Sequence, residues 1–223
     1  MSKLTNFNRP DGGVCSGYYC ASSVDSKAPG IVVIQEWWGL NKQIKEIADR
    51  LAEQGYRVLV PDLYQGKVTL EATEAEHLMN ALDFGDAATQ NIRGATQFLK
   101  QQSSSVAIMG FCMGGALTIL SAIHVPEATA AICWYGVPPS EAGDVSAISI
   151  PLQGHFALED SFFPTSQVDD LENRLQEGQV PYEFYRYSAK HAFANEYGDG
   201  YSPEAFEQAW RRTLKFLSTY SKP

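Results

Sequence analysis

Cys112 is the residue of this sequence best placed to act as a nucleophile. It lies between two glycines in the segment VAIMGFCMGGA (106–116), where an apolar run is followed by residues that favour a helix. A strand, a sharp turn and a helix in this order form the setting of a nucleophile elbow, in which glycines let strand and helix approach closely. Oriented N–H groups at a helix start also favour a thiolate. The alternative interpretation is a glycine-rich turn that holds an ordinary buried cysteine.

An acid and a histidine follow Cys112 in the order that elbow chemistry requires. Asp160 is the predicted acid and Glu159 is the adjacent competitor. The alternative role for Asp160 is to cap a helix that begins near Thr165. His191 lies in a loop with small neighbours after a predicted strand over 183–187, and it is the predicted general base. The other histidines are expected on the surface (His77 and His124) and packed or lining the site (His155).

Glu36 ends a buried strand and precedes two tryptophans, Trp37 and Trp38. A carboxylate in that position is costly to bury unless it has a partner. One interpretation is a solvated acid at a strand end beside two core tryptophans. In the functional interpretation Glu36 meets Cys112 in the site, and the amides of Trp37 and Met113 form an oxyanion hole.

The elements that must position these residues follow an α/β pattern, in which short apolar runs alternate with segments of helical period. The runs are 31–34, 58–60, 106–109, 130–134 and 148–152, preceded by an edge strand or hairpin at 17–20. Their apolar character predicts strands buried on both faces. Helices are predicted over 43–54, over 71–100 with a division at 83–86, and at the end of the chain after an N-cap at Ser202.

Composition and charge limit the partners that the chain can have. The 223 residues, 44% of them hydrophobic, predict one domain over 1–223. A net charge of −9 argues against nucleic acid and anionic membranes as partners. The sequence has neither a signal peptide nor an apolar run of membrane-spanning length, so we expect a cytoplasmic protein. Its four cysteines are therefore expected as thiols, and Cys15 and Cys20 lack further ligands for zinc.

Several motifs together resemble the dienelactone hydrolase family, cysteine-based members of the α/β-hydrolase fold that are also called carboxymethylenebutenolidases. They are QEWWGL (35–40), PDLY (61–64), GFCMGG (110–115), Asp160 before Pro164, and HAFA (191–194). The resemblance covers nearly the whole chain. It implies a mostly parallel central sheet with helices on both faces.

The resemblance also implies roles for the candidate residues. Cys112 would be the nucleophile, His191 the base and Asp160 its orienting acid. Glu36 would accept a hydrogen bond from the resting thiol and move when substrate binds. The reaction would pass through a thioester at Cys112 and need neither a metal nor an organic cofactor, and we expect a monomer that acts on a small lactone or ester.

One departure from the family concerns the arginines that hold the carboxylate of dienelactone. Residues 68–91 contain no arginine, and Asn195 stands where a second arginine would be. Unless Lys67, Arg93 or Lys190 substitutes, we expect a small lactone or ester other than the dienelactone anion. The expected pocket residues are Trp38, Tyr64, Tyr135, Phe193 and Asn195.

Three alternatives remain open from the sequence. A thioesterase or acyltransferase could use the same elbow. A binding module could keep the fold without the chemistry, although the complete set of cysteine, acid and histidine argues against this. An exposed cysteine with a low pKa could also serve as a redox sensor.

Overall fold

The computed structural model describes residues 2–21 and 28–221. Eight strands form a sheet in the order β1-β2-β4-β3-β5-β6-β7-β8. The strands are β1 (Ser2–Asn8), β2 (Val14–Ala21), β3 (Gly30–Ile34), β4 (Arg57–Pro61), β5 (Val106–Phe111), β6 (Ala130–Trp134), β7 (Leu152–Glu159) and β8 (Tyr182–Lys190). β1 and β2 form an antiparallel hairpin, and β2 pairs with β4 in the antiparallel direction. The other six strands, β3 to β8, are parallel to one another. The expected mostly parallel sheet is therefore confirmed.

Helices cover both faces of this sheet, as the sequence predicts. They are α1 (Lys42–Glu53), α2 (Ala72–Asn80), α3 (Phe84–Asp86), α4 (Arg93–Lys100), α5 (Met113–His124), α6 (Thr165–Glu177) and α7 (Pro203–Tyr220), with a π-helical turn (Ala87–Ile92) between α3 and α4. Alternate side chains of β3 enter different cores: Ile31 and Val33 pack with α1 and α7, and Val32 and Ile34 pack with α4 and α5. This alternation explains why the central strands are apolar without interruption.

The predicted helix boundaries are close to the observed ones. α1 begins after Asn41, whose side chain accepts a hydrogen bond from the amide of Ile44, and Gly55 follows its end at a φ of 95°. The helical segment is divided as predicted, but the break lies at 81–83, and Phe84–Asp86 already form α3 at the start of the second part. Ser202 caps α7 through the amide of Ala205, as predicted.

The predicted strand over 148–152 is wrong, because β7 begins only at Leu152 and continues to Glu159. Ile148 is apolar because it packs against the core from the connection that precedes the strand. Pro151 has no N–H to contribute to a strand ladder, so it marks the start of pairing.

The sequence at 17–20 lies in β2, within the hairpin at the edge of the sheet.

Among residues 2–21 and 28–221, no helix is both long enough and apolar enough to cross a membrane. The assignment of one domain to residues 1–223 stays a prediction.

Candidate active site

Cys112 occupies a strained turn between β5 and α5. Its φ of 54° and ψ of −117° are unusual for a residue with a side chain. The flanking glycines are needed for space, since a Cβ atom at Gly114 would lie 2.5 Å from the carbonyl oxygen of Ile34 and 2.6 Å from that of Gln35. The predicted elbow is therefore present, with Cys112 at the carboxyl end of β5.

Asp160, His191 and Cys112 lie in hydrogen-bonded series. His191 Nδ1 is 2.7 Å from Asp160 Oδ2, and His191 Nε2 is 3.2 Å from Cys112 Sγ. Because an ionised carboxylate can only accept hydrogen bonds, Nδ1 of His191 carries the proton of this contact. Nε2 can then accept a hydrogen bond from the thiol. The three side chains come from the ends of β5, β7 and β8, which share one edge of the sheet.

Asp160 is itself fixed by two amides. Its Oδ1 accepts hydrogen bonds from the backbone of Phe162 at 2.8 Å and of Phe163 at 2.9 Å. It does not cap α6, which begins at Thr165 after Pro164 in the N-cap position. The competitor Glu159 is exposed, and within the described chain it makes no hydrogen bond to His191.

The thiol of Cys112 is protonated at neutral pH. Burial raises its pKa well above the ordinary value, and the negative charge of Glu36 raises it further. The amide of Met113, which donates to the sulfur at the start of α5, lowers the pKa and offsets part of this effect. A reaction at this sulfur would therefore need a base to remove the proton, and Nε2 of His191 is within hydrogen-bond distance of it.

Glu36 is buried immediately after β3 and is bonded through both carboxylate oxygens. The hydroxyl of Tyr135 donates to Oε1 at 3.1 Å, and Nδ2 of Asn195 donates to Oε2 at 2.8 Å. Burial raises the pKa of Glu36, whereas the charge of His191 and these two hydrogen bonds lower it. A buried carboxylate is thus held here by two neutral donors.

The expected hydrogen bond from the resting thiol to Glu36 is absent from the described residues, which corrects the role implied by the resemblance. The sulfur lies on Nε2 of His191 instead. The thiol has a single proton to donate and lies within reach of Nε2, while the carboxylate of Glu36 is bonded to Tyr135 and Asn195. Glu36 still acts on the thiol through its charge.

Two backbone amides at the cavity, those of Trp37 and Met113, are candidates for binding an oxyanion. Met113 is the first residue of α5, where N–H groups have no partner within the helix. The amide of Trp37 makes no hydrogen bond within residues 2–21 and 28–221. Both were predicted from the sequence as the oxyanion pair.

A cavity of about 970 Å³ opens above the thiol. Of the expected pocket residues, Trp38 and Asn195 lie on its wall. The other three do not line it, which corrects the expectation: Tyr135 and Phe193 are fully buried behind the wall, and the buried hydroxyl of Tyr64 contacts Sδ of Met113 at 3.2 Å. These aromatic side chains support the site from the core.

None of the three cations considered from the sequence lines the cavity. Lys67 and Lys190 are exposed elsewhere, and Arg93 is paired with Glu127 at 3.0 Å. Arg174 of α6, which sequence reasoning missed, lies on the wall and pairs with Asp170 through its Nε at 3.0 Å. The spacing of four residues between Asp170 and Arg174 was the signal for that pair, but nothing in the sequence places it at the cavity.

Phe162 and Phe163 were also missed by the sequence reasoning. Their ring centroids lie 4.8 Å and 5.7 Å from that of His191, and Phe162 is 5.9 Å from the ring of Trp37. The signal available was their position directly after Asp160. They enclose the imidazole between aromatic rings.

The sequence profile described as "Dienelactone hydrolase family" matches residues 17–221. The chain belongs to the dienelactone hydrolase family. Protein usf of Aquifex pyrophilus is 33% identical over 207 residues, which are 86% of this chain and 88% of that protein. A protein of Aquifex aeolicus (strain VF5) with the provisional name carboxymethylenebutenolidase is 31% identical over 206 residues, 87% of this chain and 89% of that one.

A solved structure has the same fold as this dienelactone hydrolase family member. It comes from Klebsiella pneumoniae subsp. pneumoniae MGH 78578 and carries the provisional name dienelactone hydrolase. It is 24% identical, covers 99% of this chain and 100% of its own, and superposes with a TM-score of 0.87. The fold is the α/β-hydrolase fold, and the protein is a hydrolase of esters or lactones.

Proposed function

We propose that this member of the family hydrolyses neutral lactones or esters through a Cys112-His191-Asp160 triad and a thioester intermediate. The observation that carries the proposal is the continuous series of contacts from Asp160 to the sulfur, 2.7 Å and 3.2 Å long. We place the reaction in the cytoplasm, in a monomer. The proposed partner is the small-molecule substrate, with no role for nucleic acid or membrane.

In the acylation step, Cys112 transfers its proton to Nε2 of His191 while the sulfur bonds to the substrate carbonyl carbon. The carbonyl electrons move to oxygen, and the amides of Trp37 and Met113 bind the resulting oxyanion. When the tetrahedral intermediate collapses, the C–O bond breaks and the leaving alkoxide takes the proton from Nε2. For a lactone, this alkoxide remains part of the acyl group on sulfur.

In the deacylation step, water attacks the thioester and gives its proton to His191. Collapse then expels the thiolate, which recovers that proton, and the acid is released. Asp160 keeps the imidazole in the required tautomer and stabilises its charged form in both steps. The role assigned to Glu36 is that of a fixed charge beside the sulfur, which keeps the resting thiol protonated.

The charged side chains on the cavity wall favour a neutral substrate over an anionic one. Arg174 is the cation that the described chain places on it, and Asp170 already neutralises its guanidinium. Four further carboxylates line the cavity, those of Glu36, Glu76, Glu141 and Asp199. A substrate carboxylate would meet repulsion from these side chains, and Asp170 would compete with it for Arg174.

The test is hydrolysis of p-nitrophenyl acetate by wild-type protein, Cys112→Ala and Cys112→Ser. We expect turnover by the wild type and a loss of at least 1,000-fold in kcat/KM for Cys112→Ala, since no nucleophile remains. Mass spectrometry of rapidly quenched wild-type protein should show an added acetyl group on Cys112. The same enzyme should process dienelactone more slowly than an uncharged lactone.

Cys15→Ala is the matched control, because that cysteine is buried in β2 and does not line the cavity. It should keep wild-type turnover. Full activity of Cys112→Ala would refute Cys112 as the nucleophile, and a thioester substrate preferred over all esters and lactones would favour the thioesterase alternative.

A further inference from the structure

The substrate cavity is large, and most of its wall is apolar. Its volume of about 970 Å³ is at the upper end of the range typical for drug-sized ligands. One side is formed by Met79 of α2 and Phe84 of α3, and another by Val137 after β6. A small lactone ring bound at Cys112 would leave most of this space unfilled.

Aromatic side chains continue the apolar wall down to the reacting atoms. The rings of Trp37 and Trp38 lie 5.1 Å apart, and Phe162 bridges from Trp37 to His191. Phe162 is 56% exposed although it is a large apolar residue beside the thiol. Exposed apolar area that surrounds a reaction centre is available to a ligand, and covering it is favourable.

The polar groups on the wall do not offer a second anchor for an anion. Arg174 is paired with Asp170, and the remaining charged side chains are acidic. A polar or negatively charged extension of the substrate would therefore gain little from this cavity, whereas an apolar extension would bury its own surface and that of the wall.

From these features we infer that the substrate is a neutral ester or lactone that carries an apolar group of roughly six carbons or more, bound between α2, α3 and the segment after β6. This inference rests on the proposed function, because it concerns what the same site accepts. It assigns Met79, Phe84 and Val137 as specificity-determining residues that contact the apolar group away from the reacting carbonyl.

The experiment compares kcat/KM for two series of esters, p-nitrophenyl esters from acetate to hexanoate and acetate esters of alcohols from two to six carbons. Each rate is divided by the rate of the same ester with hydroxide. We expect the corrected kcat/KM of at least one series to rise tenfold or more from its shortest to its longest ester. Full burial of four methylenes would give roughly 200-fold, so the expected rise corresponds to partial burial. The p-nitrophenyl monoester of adipic acid, of equal length but anionic, should react at least tenfold more slowly than the hexanoate.

Two variants change the wall without changing its shape, Met79→Gln and Val137→Thr. At least one should lower the ratio of long-chain to short-chain kcat/KM threefold or more, because a polar wall residue weakens the contact with the apolar group. Leu70→Gln is the matched control, because Leu70 is 85% exposed and is not on the cavity wall. Its ratio should equal that of the wild type.

The outcomes separate the two proposals. Turnover of p-nitrophenyl acetate that depends on Cys112, with both series flat or falling, overturns the inference about the apolar group and leaves the triad intact. An unchanged chain-length ratio in both Met79→Gln and Val137→Thr also overturns it. A protein that hydrolyses none of the esters refutes the proposed function itself.

Discussion

The thiol of Cys112 experiences opposing electrostatic effects from its two neighbours. Glu36 is a buried negative charge that raises the pKa of the thiol, and the Met113 amide lowers that pKa by donating to the sulfur. Burial is the larger of the two effects that raise this pKa, and the charge of Glu36 adds to it, so the protonated thiol is favoured in the resting site.

Glu36→Gln should lower the pKa of the Cys112 thiol, because the substitution removes the negative charge and keeps the shape of the side chain. The measurement is thiolate absorbance near 240 nm during a pH titration, with Cys112→Ser subtracted to isolate this thiol. In the wild type we expect no rise between pH 6 and 8, since the pKa is raised. In Glu36→Gln the rise should begin at a lower pH than in the wild type.

Glu159→Gln is the matched control for that titration. It also removes one carboxylate, but from an exposed position at the end of β7. Its titration should superimpose on that of the wild type. A thiolate signal already complete at pH 6 in the wild type would contradict the assignment of a raised pKa.

At the residue level, the sequence was sufficient for the three members of the proposed triad but not for the environment of Glu36. Cys112, Asp160 and His191 could be selected because each follows an apolar run and their order matches elbow chemistry. Tyr135 and Asn195, which bind Glu36, are 99 and 159 residues away from it along the chain. Glu36, Tyr135 and Asn195 follow β3, β6 and β8, respectively, and only the order of these strands in the sheet brings the three side chains together.

The contact between β3 and α5 determines where the site's backbone groups lie. Gly114, in the first turn of α5, is pressed against the carbonyl oxygens of Ile34 and Gln35 at the end of β3. That end of β3 leads directly to Glu36 and to the amide of Trp37. The spacing between the two proposed oxyanion donors is therefore set by the absence of a side chain at Gly114.

Gly114→Ala should reduce activity because its Cβ atom would lie 2.5 Å from a backbone oxygen that cannot rotate away. The strand end and the helix must separate, which should also move the Trp37 amide away from that of Met113. We expect kcat for p-nitrophenyl acetate to fall at least 100-fold, comparable to the loss of one oxyanion-hole donor. Overpacking of this kind should lower the free energy of unfolding by about 1–3 kcal/mol.

Gly85→Ala provides the control on a neighbouring helix. Among the described residues its Cβ atom would meet Oδ1 of Asp83, the N-cap of α3, at 3.3 Å, which requires a shift of only a few tenths of an ångström. This variant should keep wild-type kcat and be equally or more stable, since alanine is favoured over glycine in helices. Wild-type kcat in Gly114→Ala would show that the contact with β3 does not position the oxyanion donors.

At the level of elements, the sequence predicted the alternation of strands and helices but not every strand boundary. The runs at 31–34, 58–60, 106–109 and 130–134 all fall inside observed strands. The run at 148–152 failed because burial alone does not distinguish a strand from a connection that packs on the core. β7 contains Gln153 and His155, two buried polar residues that interrupt the apolar signal.

Those two polar residues belong to a buried network that crosses the molecule from the sheet to α7. His155 Nδ1 is 2.8 Å from the hydroxyl of Tyr187, and Nε2 is 2.9 Å from Gln153 Oε1 and 3.0 Å from Thr213 Oγ1. The sequence gives no indication of this network, because its members come from β7, β8 and α7 and His155 is 58 residues away from Thr213 along the chain. It links β7, β8 and α7, and it lies next to Tyr135, whose amide donates to the carbonyl oxygen of His155 at 2.8 Å.

Whole-molecule stability should depend on the charge of His155. Burial and, to a smaller extent, the nearby positive charge of Arg212 together lower its pKa from 6.5 to about 3. The native protein therefore keeps His155 neutral at a pH where the unfolded chain binds a proton to it. Between about pH 6.5 and 3, stability from this group is lost as pH falls, at up to about 1.4 kcal/mol per pH unit.

His155→Gln should remove that contribution while still offering hydrogen bonds to the network. Urea unfolding at pH 5.5 and at pH 4 gives the loss in free energy of unfolding for each protein. The loss should be about 2 kcal/mol larger in the wild type than in His155→Gln, since only the wild type has a proton to gain on unfolding at this position. The comparison uses the difference between two pH values, so a constant destabilisation by the substitution does not affect it. His124→Gln is the control, because it replaces an exposed histidine. Between pH 5.5 and pH 4 it should lose as much free energy of unfolding as the wild type. If His155→Gln also lost as much as the wild type, His155 would not be kept neutral by the fold.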